Sequence, residues 1–105
     1  MKAKKSKHYN KRRKRRERII KNRLNGDGEI IDSFVVDRGH KNGAEVHSIT
    51  NTGLIIITNK DTGILVTKLI ARPAQIKRYY NNSNREPPEW LITLAEWHIS
   101  LGYNR

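Results

Sequence analysis

The sequence predicts a small α+β domain, in which a four-stranded antiparallel meander sheet packs with helices and follows a basic arm. Three observations predict it: positive charge concentrated at the amino terminus, four β-branched runs separated by glycine-containing turns, and two helical patterns near the carboxyl end. The turn-forming residues 25–28 separate the two parts. We therefore expect an arm over residues 1–24 and a domain over residues 25–105.

The arm holds the excess charge of the chain. Thirteen of the 22 basic residues lie in residues 1–23 beside one acid, Glu17, so this segment alone accounts for the net charge of +12. Unpaired cations are too costly to bury, so the arm must face water or an anionic partner. We expect it to be disordered when free, or helical once phosphate neutralises its repulsion. The cations predicted to contact nucleic acid are Lys11, Arg12, Arg13, Lys14, Arg15, Arg16 and Arg18.

Four runs rich in Ile, Val and Thr predict the strands, at residues 29–37, 44–50, 54–59 and 64–70. Each connection between them is of hairpin length and contains glycine, which favours antiparallel neighbours in chain order. The third run opens with consecutive apolar residues, which predicts a central strand covered on both faces. Helices must therefore cover at least one face of the sheet.

The first helix is predicted after the fourth strand. Pro73 suits a first helical position, and residues 74–80 would form a short helix. This helix would pack Ile76 and one of two tyrosines and expose Lys77 and Arg78, which we predict as further nucleic-acid contacts.

The second helix is predicted to start at Pro87-Pro88-Glu89, with an acid in its first turn, and to be capped by Gly102. Four apolar residues within it recur at spacings of four, three and four, which predicts a stripe facing the core. These residues are Trp90, Leu94, Trp97 and Leu101.

Composition excludes several classes of protein. The chain has no cysteine and its four histidines are dispersed, so we expect no disulfide, no metal site and no cofactor. No apolar run reaches membrane-spanning length and no secretory leader follows the charged start, which predicts a soluble, cytoplasmic protein without a membrane partner. The only large apolar residues of the arm before Leu24 are Tyr9, Ile19 and Ile20, too few for a membrane-surface helix, so a phosphate backbone is the predicted partner.

Residue types suited to RNA cleavage occur between positions 40 and 72. Cleavage without a metal requires a base for the 2′-OH, an acid for the leaving oxygen, and cations for the charge on the phosphorane. We predict that His40 and His47 share the proton transfers, that Lys68 and Arg72 stabilise the charge, and that Thr67 positions the phosphate.

The sequence leaves alternatives open for these residues. Side chains alternate along a strand, so either Thr67 or Lys68, but not both, shares the face of His47. A hydrogen-bonded structural histidine remains an equal alternative for His47, and an ion pair near the helix start remains one for Arg72.

Two segments, DRGHKNGAEVH at residues 37–47 and GILVTKLIARP at residues 63–73, resemble small phage-encoded proteins related to the superfamily of barnase, EndoU, colicin D and RelE. The resemblance covers roughly residues 40–80. It implies a four-stranded antiparallel sheet, packed on amino-terminal helices, whose face cleaves RNA without metal and leaves a cyclic phosphate. It also implies that His40 and His47 match the paired histidines of the EndoU pattern, that Lys68 matches its lysine, and that Thr67 matches a hydroxyl residue on the last strand.

The leading hypothesis is therefore a metal-independent, toxin-like endoribonuclease, acting in the host cytoplasm if phage-encoded. The alternative is a non-catalytic binding module, such as a phage regulator or a ribosome- or nucleoprotein-associated protein. RNA is expected over DNA as the partner. A third hypothesis makes the sheet an inhibitor of a host protein, and a nuclease would need a protein inhibitor of its own. The oligomeric state stays open.

Overall fold

A computed structural model of the chain describes residues 26–37, 39, 41 and 43–102. Its elements are β1 (Ile30–Val36), β2 (Glu45–Thr50), β3 (Leu54–Asn59), β4 (Leu65–Ile70), α1 (Pro73–Asn82) and α2 (Glu89–Ser100). The predicted arm lies outside the described residues, and so do all seven of its predicted contacts, Lys11, Arg12, Arg13, Lys14, Arg15, Arg16 and Arg18.

The sheet is a four-stranded antiparallel meander in the order β1-β2-β3-β4, which confirms the predicted α+β fold. Each strand boundary agrees with its sequence prediction to within one residue. The agreement follows from the turns, because glycine-containing connections end each run sharply. Leu54 and Ile55 point to opposite faces of the central strand β3, and both are fully buried.

The turn between β2 and β3 depends on Gly53. Its φ is +87°, in the left-handed region that favours glycine. A Cβ atom there would lie 3.0 Å from Nε2 of His98, near the end of α2. Gly53 therefore lets the turn form and lets α2 approach it closely.

Both helices cover the same face of the sheet and close one hydrophobic core over it. The core includes side chains from β1, β2, β3, α1 and α2, together with the residue after β4. Its buried members are Phe34, Ile49, Ile55, Ile57, Ala71, Ile76, Tyr80, Leu91 and Ala95.

Helix α1 is amphipathic in the way the sequence predicts. Pro73 occupies the beginning of the helix, and the backbone N–H of Arg72 donates to Oε1 of Gln75 over 2.9 Å. Ile76 and Tyr80, four residues apart, are its buried side chains. Lys77 and Arg78 are exposed, as expected.

Helix α2 corrects the sequence prediction. Trp90, Trp97 and Leu101 are 50%, 52% and 46% exposed, so the predicted core stripe was wrong. The buried side chains are Leu91, Ala95 and His98, with the same spacing of four and three shifted by one residue. The fourth member of the predicted stripe, Leu94, is half-buried.

The choice of face on α2 has a physical cause that periodicity could not reveal. Most of the helix circumference is apolar, so two stripes of equal spacing compete for the core. Ala95 presents a small surface to the sheet, and His98 Nε2 lies 2.8 Å from the carbonyl oxygen of Thr52. The small side chain of Ala95 and the polar partner of His98 therefore determine which stripe of α2 faces the core.

Candidate functional site

His47 lies in the middle of β2, on the face covered by the helices, and only 3% of it is exposed. Both of its ring nitrogens have partners. Nδ1 is 2.5 Å from the hydroxyl oxygen of Tyr79 on α1, and Nε2 is 3.0 Å from Oε1 of Glu45 on the same strand. The arrangement is a continuous chain from carboxylate to imidazole to phenol.

For a neutral imidazole beside an ionised carboxylate, the chemistry of the partners assigns each proton in this series of hydrogen bonds. An ionised carboxylate only accepts, so Nε2–H of His47 donates to Glu45. A neutral imidazole then accepts at Nδ1 from the Tyr79 hydroxyl. The Tyr79 ring stacks on Phe34 with centroids 5.3 Å apart, which orients the phenol. This series of hydrogen bonds can pass a proton between Tyr79 and His47. It also gives each of the two buried ring nitrogens of His47 a hydrogen-bond partner.

Thr67 and Lys68 resolve the alternative left open by the sequence. His47 pairs with Ile57, and Ile57 pairs with Thr67, so Thr67 shares the face of His47. Lys68 pairs with Ile56 and points to the opposite face. There its ammonium group lies 2.7 Å from Oδ2 of Asp27.

Arg72 is exposed and stands at the N-cap of α1, directly after β4. His40 lies outside the described residues. Of the five residues predicted for catalysis, the structure brings His47 and Thr67 to one face and directs Lys68 away from it.

The outer side of α1 carries cations without acids. Lys77 and Arg78 are exposed, Arg72 precedes the helix, and the sequence of α1 includes no Asp or Glu. The charges of Lys77 and Arg78 are therefore not cancelled by an acid within the helix.

A trough runs between α1 and the outer edge of β1. It consists of a larger cavity of about 550 Å³ and a smaller one of about 230 Å³. The two share Val35, Val36, Tyr79 and Asn82 in their linings. The larger cavity adds Asp37, Gln75 and Arg78, and the smaller one adds Ser33, Phe34, Ser83 and Arg85.

A second polar cluster stabilises one end of the trough. The Tyr80 hydroxyl donates to Oδ2 of Asp32, and the Arg85 guanidinium lies 3.0 Å from Oδ1 of the same carboxylate. Arg85 also lies over the rings of Phe34 and Tyr80, 5.3 and 5.1 Å from their centroids. Burial and the Asp32 carboxylate raise the pKa of Tyr80 above its ordinary value.

Sequence reasoning missed Glu45 and Tyr79 as partners of His47. The Glu45 contact had a readable signal, because residues two apart on a strand share a face. Tyr79 had none, since it lies 32 residues from His47 and reaches it only through the packing of α1 on the sheet. The trough was also missed, because it depends on where α1 lies beside β1.

Comparison of the chain with protein-family models, curated proteins and solved structures finds no match. Within the described residues, no helix is long and apolar enough to cross a bilayer. The same part of the chain contains no group of three or more His, Cys, Asp or Glu side chains placed to hold a metal ion.

Proposed function

We propose that this protein binds single-stranded RNA, holding phosphates with its arm and presenting α1 as a second contact surface. The observation that carries this proposal is the segregation of charge. Thirteen cations lie in residues 1–23, and the rest of the chain is formally neutral. Outside the arm, α1 carries two exposed cations and no acid.

The distribution of acids in the folded part supports an approach from the side of α1. Glu89 and Glu96 lie exposed on α2, and residues 86–102 contain no Lys or Arg. A polyanion is therefore attracted to α1 and repelled by α2. RNA is proposed over DNA on the resemblance of residues 40–80 to the ribonuclease superfamily.

Fluorescence anisotropy with a labelled 12-nucleotide single-stranded RNA tests the proposal. We expect the full chain to bind at 50 mM salt and to lose most of its affinity by 200 mM, because each neutralised phosphate releases a counterion. A variant in which the seven central arm cations, Lys11 to Arg18 without Glu17, are changed to Gln should bind far more weakly. Absence of binding by the full chain at 50 mM salt would contradict the proposal.

A second candidate function is metal-independent endoribonuclease activity. The hydrogen bonds that link Glu45 to His47 and His47 to Tyr79 favour it. An imidazole bonded to a carboxylate and a hydroxyl is an arrangement that proton-transfer chemistry uses. In this candidate His40 and His47 are the proton-transfer groups, and the buried His47 exchanges its proton with RNA through the hydroxyl of Tyr79, which lines the trough. Thr67 lies on the same face of the sheet, whereas Lys68 on the other face pairs with Asp27.

Incubation of the full chain with mixed RNA in EDTA distinguishes the two functions. Cleavage that disappears in a His40→Ala/His47→Ala variant, with RNA affinity retained, supports the nuclease. Bound but intact RNA between pH 5 and 9 supports a binding module. A Lys68→Ala variant completes the test, since the geometry predicts that any cleavage survives loss of this lysine.

A further inference from the structure

We infer that the trough between α1 and the edge of β1 binds the bases of single-stranded RNA. This inference rests on the proposed function and adds the part of the domain that contacts the bases. The arm supplies contacts to phosphate, which carry little sequence information. Selectivity then requires a surface that presents hydrogen-bonding groups and apolar area to unstacked bases.

The trough lies at the edge of the sheet, beside the side of β1 that faces away from β2. β1 is the first strand in the sheet order, and among the described strands only β2 pairs with it. Val35 and Val36 point to opposite faces, yet both line the trough, which places it at the strand edge. The outer N–H and C=O groups of an edge strand can pair with the donors and acceptors of a base edge.

Helix α1 supplies the polar wall of the trough. Arg78 and Asn82 are four residues apart, so they project from the same side of the helix. The Asn82 amide offers both donors and an acceptor to a base, and the Arg78 guanidinium suits a phosphate or a guanine edge. At the other end, the side chain of Arg85 is 47% exposed while it pairs with Asp32.

Apolar surface for a base comes from β1 and Tyr79. Val35 is 60% exposed at the rim, and Tyr79 is held against Phe34 by ring stacking. Aromatic and apolar surfaces of this kind bind bases without regard to sequence, and the polar wall then adds preference. The larger cavity, about 550 Å³, falls within the size of small-ligand sites, roughly 300–1,000 Å³.

An extended peptide is the competing occupant, because peptides also add to free strand edges. The side chains that line the trough favour RNA as the occupant instead. They include two guanidinium groups, one of them paired with Asp32, several amide or hydroxyl groups and one acid, Asp37, and the excess charge of +12 lies in the arm that would bring RNA to the domain. An anionic ligand rich in hydrogen-bonding groups fits this lining better than a neutral strand.

Two matched pairs of variants in the full chain test the inference. Arg78→Gln is compared with Lys60→Gln, because each removes one exposed positive charge from the domain but only Arg78 lines the trough. Asn82→Leu is compared with its exposed neighbour Asn81→Leu, which does not line it. Affinity for the labelled 12-nucleotide RNA is measured by anisotropy, and far-ultraviolet circular dichroism confirms folding.

We expect Arg78→Gln and Asn82→Leu to bind about three- to tenfold more weakly than their partners, the effect of losing one hydrogen bond. Amide resonances of residues 33–37 should shift when RNA is added. The difference in affinity between the two variants of each pair should be smaller for double-stranded RNA, whose base edges are less accessible.

The possible failures are separable. If the full chain does not bind RNA, the proposed function fails and the inference falls with it. If RNA binds but the variants within each pair have equal affinity, and residues 33–37 do not shift, the arm is the whole interface and the inference is overturned. If a synthetic extended peptide shifts residues 33–37 and RNA does not, the trough is a peptide site and the inference is likewise overturned.

Discussion

Helices α1 and α2 cover the same face of the sheet, but their outer surfaces are opposite in character. Away from the core, α1 exposes Lys77 and Arg78 and carries no acid. α2 exposes Trp90, Trp97 and two glutamates. The amphipathic pattern of α1 identifies its buried side from sequence, whereas the apolar circumference of α2 does not. The difference also gives the domain a basic side and an acidic side.

The largest expected effect concerns the two stripes of α2. Leu91→Ala should lower the free energy of unfolding by about 2–5 kcal/mol, because Leu91 is fully buried in the core. Trp97→Ala should cost about 1 kcal/mol or less, since half of Trp97 is in solvent. Urea unfolding of both variants measures the two values. A greater loss for Trp97→Ala would mean that the predicted stripe, and not the observed one, faces the core.

The next effect concerns the polar contact that joins α1 to the sheet. Tyr79→Phe removes the hydroxyl beside Nδ1 of His47 and leaves a buried ring nitrogen without this donor. We expect a loss of about 1–3 kcal/mol in the free energy of unfolding. Glu45→Gln is the comparison, because its amide oxygen can still accept from Nε2. Urea midpoints for Tyr79→Phe within error of the parent would show that the contact does not stabilise α1.

The charge difference between the helices is tested by exchanging signs. Lys77→Glu should weaken RNA binding about tenfold at 50 mM salt, because it places an acid on the basic side of the domain. Glu96→Lys changes the net charge by the same amount in the opposite direction, but it does so on α2. Because α2 is not the proposed contact surface, only long-range electrostatics acts there, and RNA affinity should change less than threefold. Anisotropy titrations of both variants compare them. Equal and opposite changes would mean that net charge, and not its position, governs binding.

The smallest expected effect is on alkaline stability. Tyr80 keeps its proton in the folded state above the ordinary pKa of 10.0, whereas the unfolded chain releases it there. Its contribution is therefore fully present below pH 10 and is lost as pH rises beyond it. Thermal unfolding between pH 8 and 11 should show a smaller alkaline loss for Tyr80→Phe than for the parent. An identical pH profile in both proteins would exclude Tyr80 as a source of alkaline sensitivity.

The sequence predicted the meander and α1 because local chemistry decides them. Gly53 and the other turn residues delimit the strands, and Pro73 marks the start of α1. Long-range packing decides the rest. The face on which Lys68 lies depends on the pairing register between β3 and β4. That register is irregular, because Ile57 pairs with Thr67 and Thr58 pairs with Leu65, which leaves one extra residue in β4.

The candidate site was predictable only in part for the same reason. His47 in β2, and Lys77 and Arg78 in α1, could be predicted as candidates from their residue types and their positions in the predicted strand and helix. The bonds of His47 to Tyr79 and of Asp32 to Tyr80 and Arg85 join residues 32 to 53 positions apart, and no local pattern encodes them. The trough likewise exists only because α1 packs beside the edge of β1.

The salt dependence of RNA binding tests the central claim most directly. Affinity of the full chain for the single-stranded 12-nucleotide RNA is measured from 50 to 300 mM salt, beside the variant with its seven central arm cations changed to Gln. If the arm contacts roughly six phosphates, log affinity should fall against log salt with a slope of about −4, and the variant should approach about −1. Equal slopes for the two proteins would contradict the account, because the seven central cations of the arm would then contribute nothing to holding RNA.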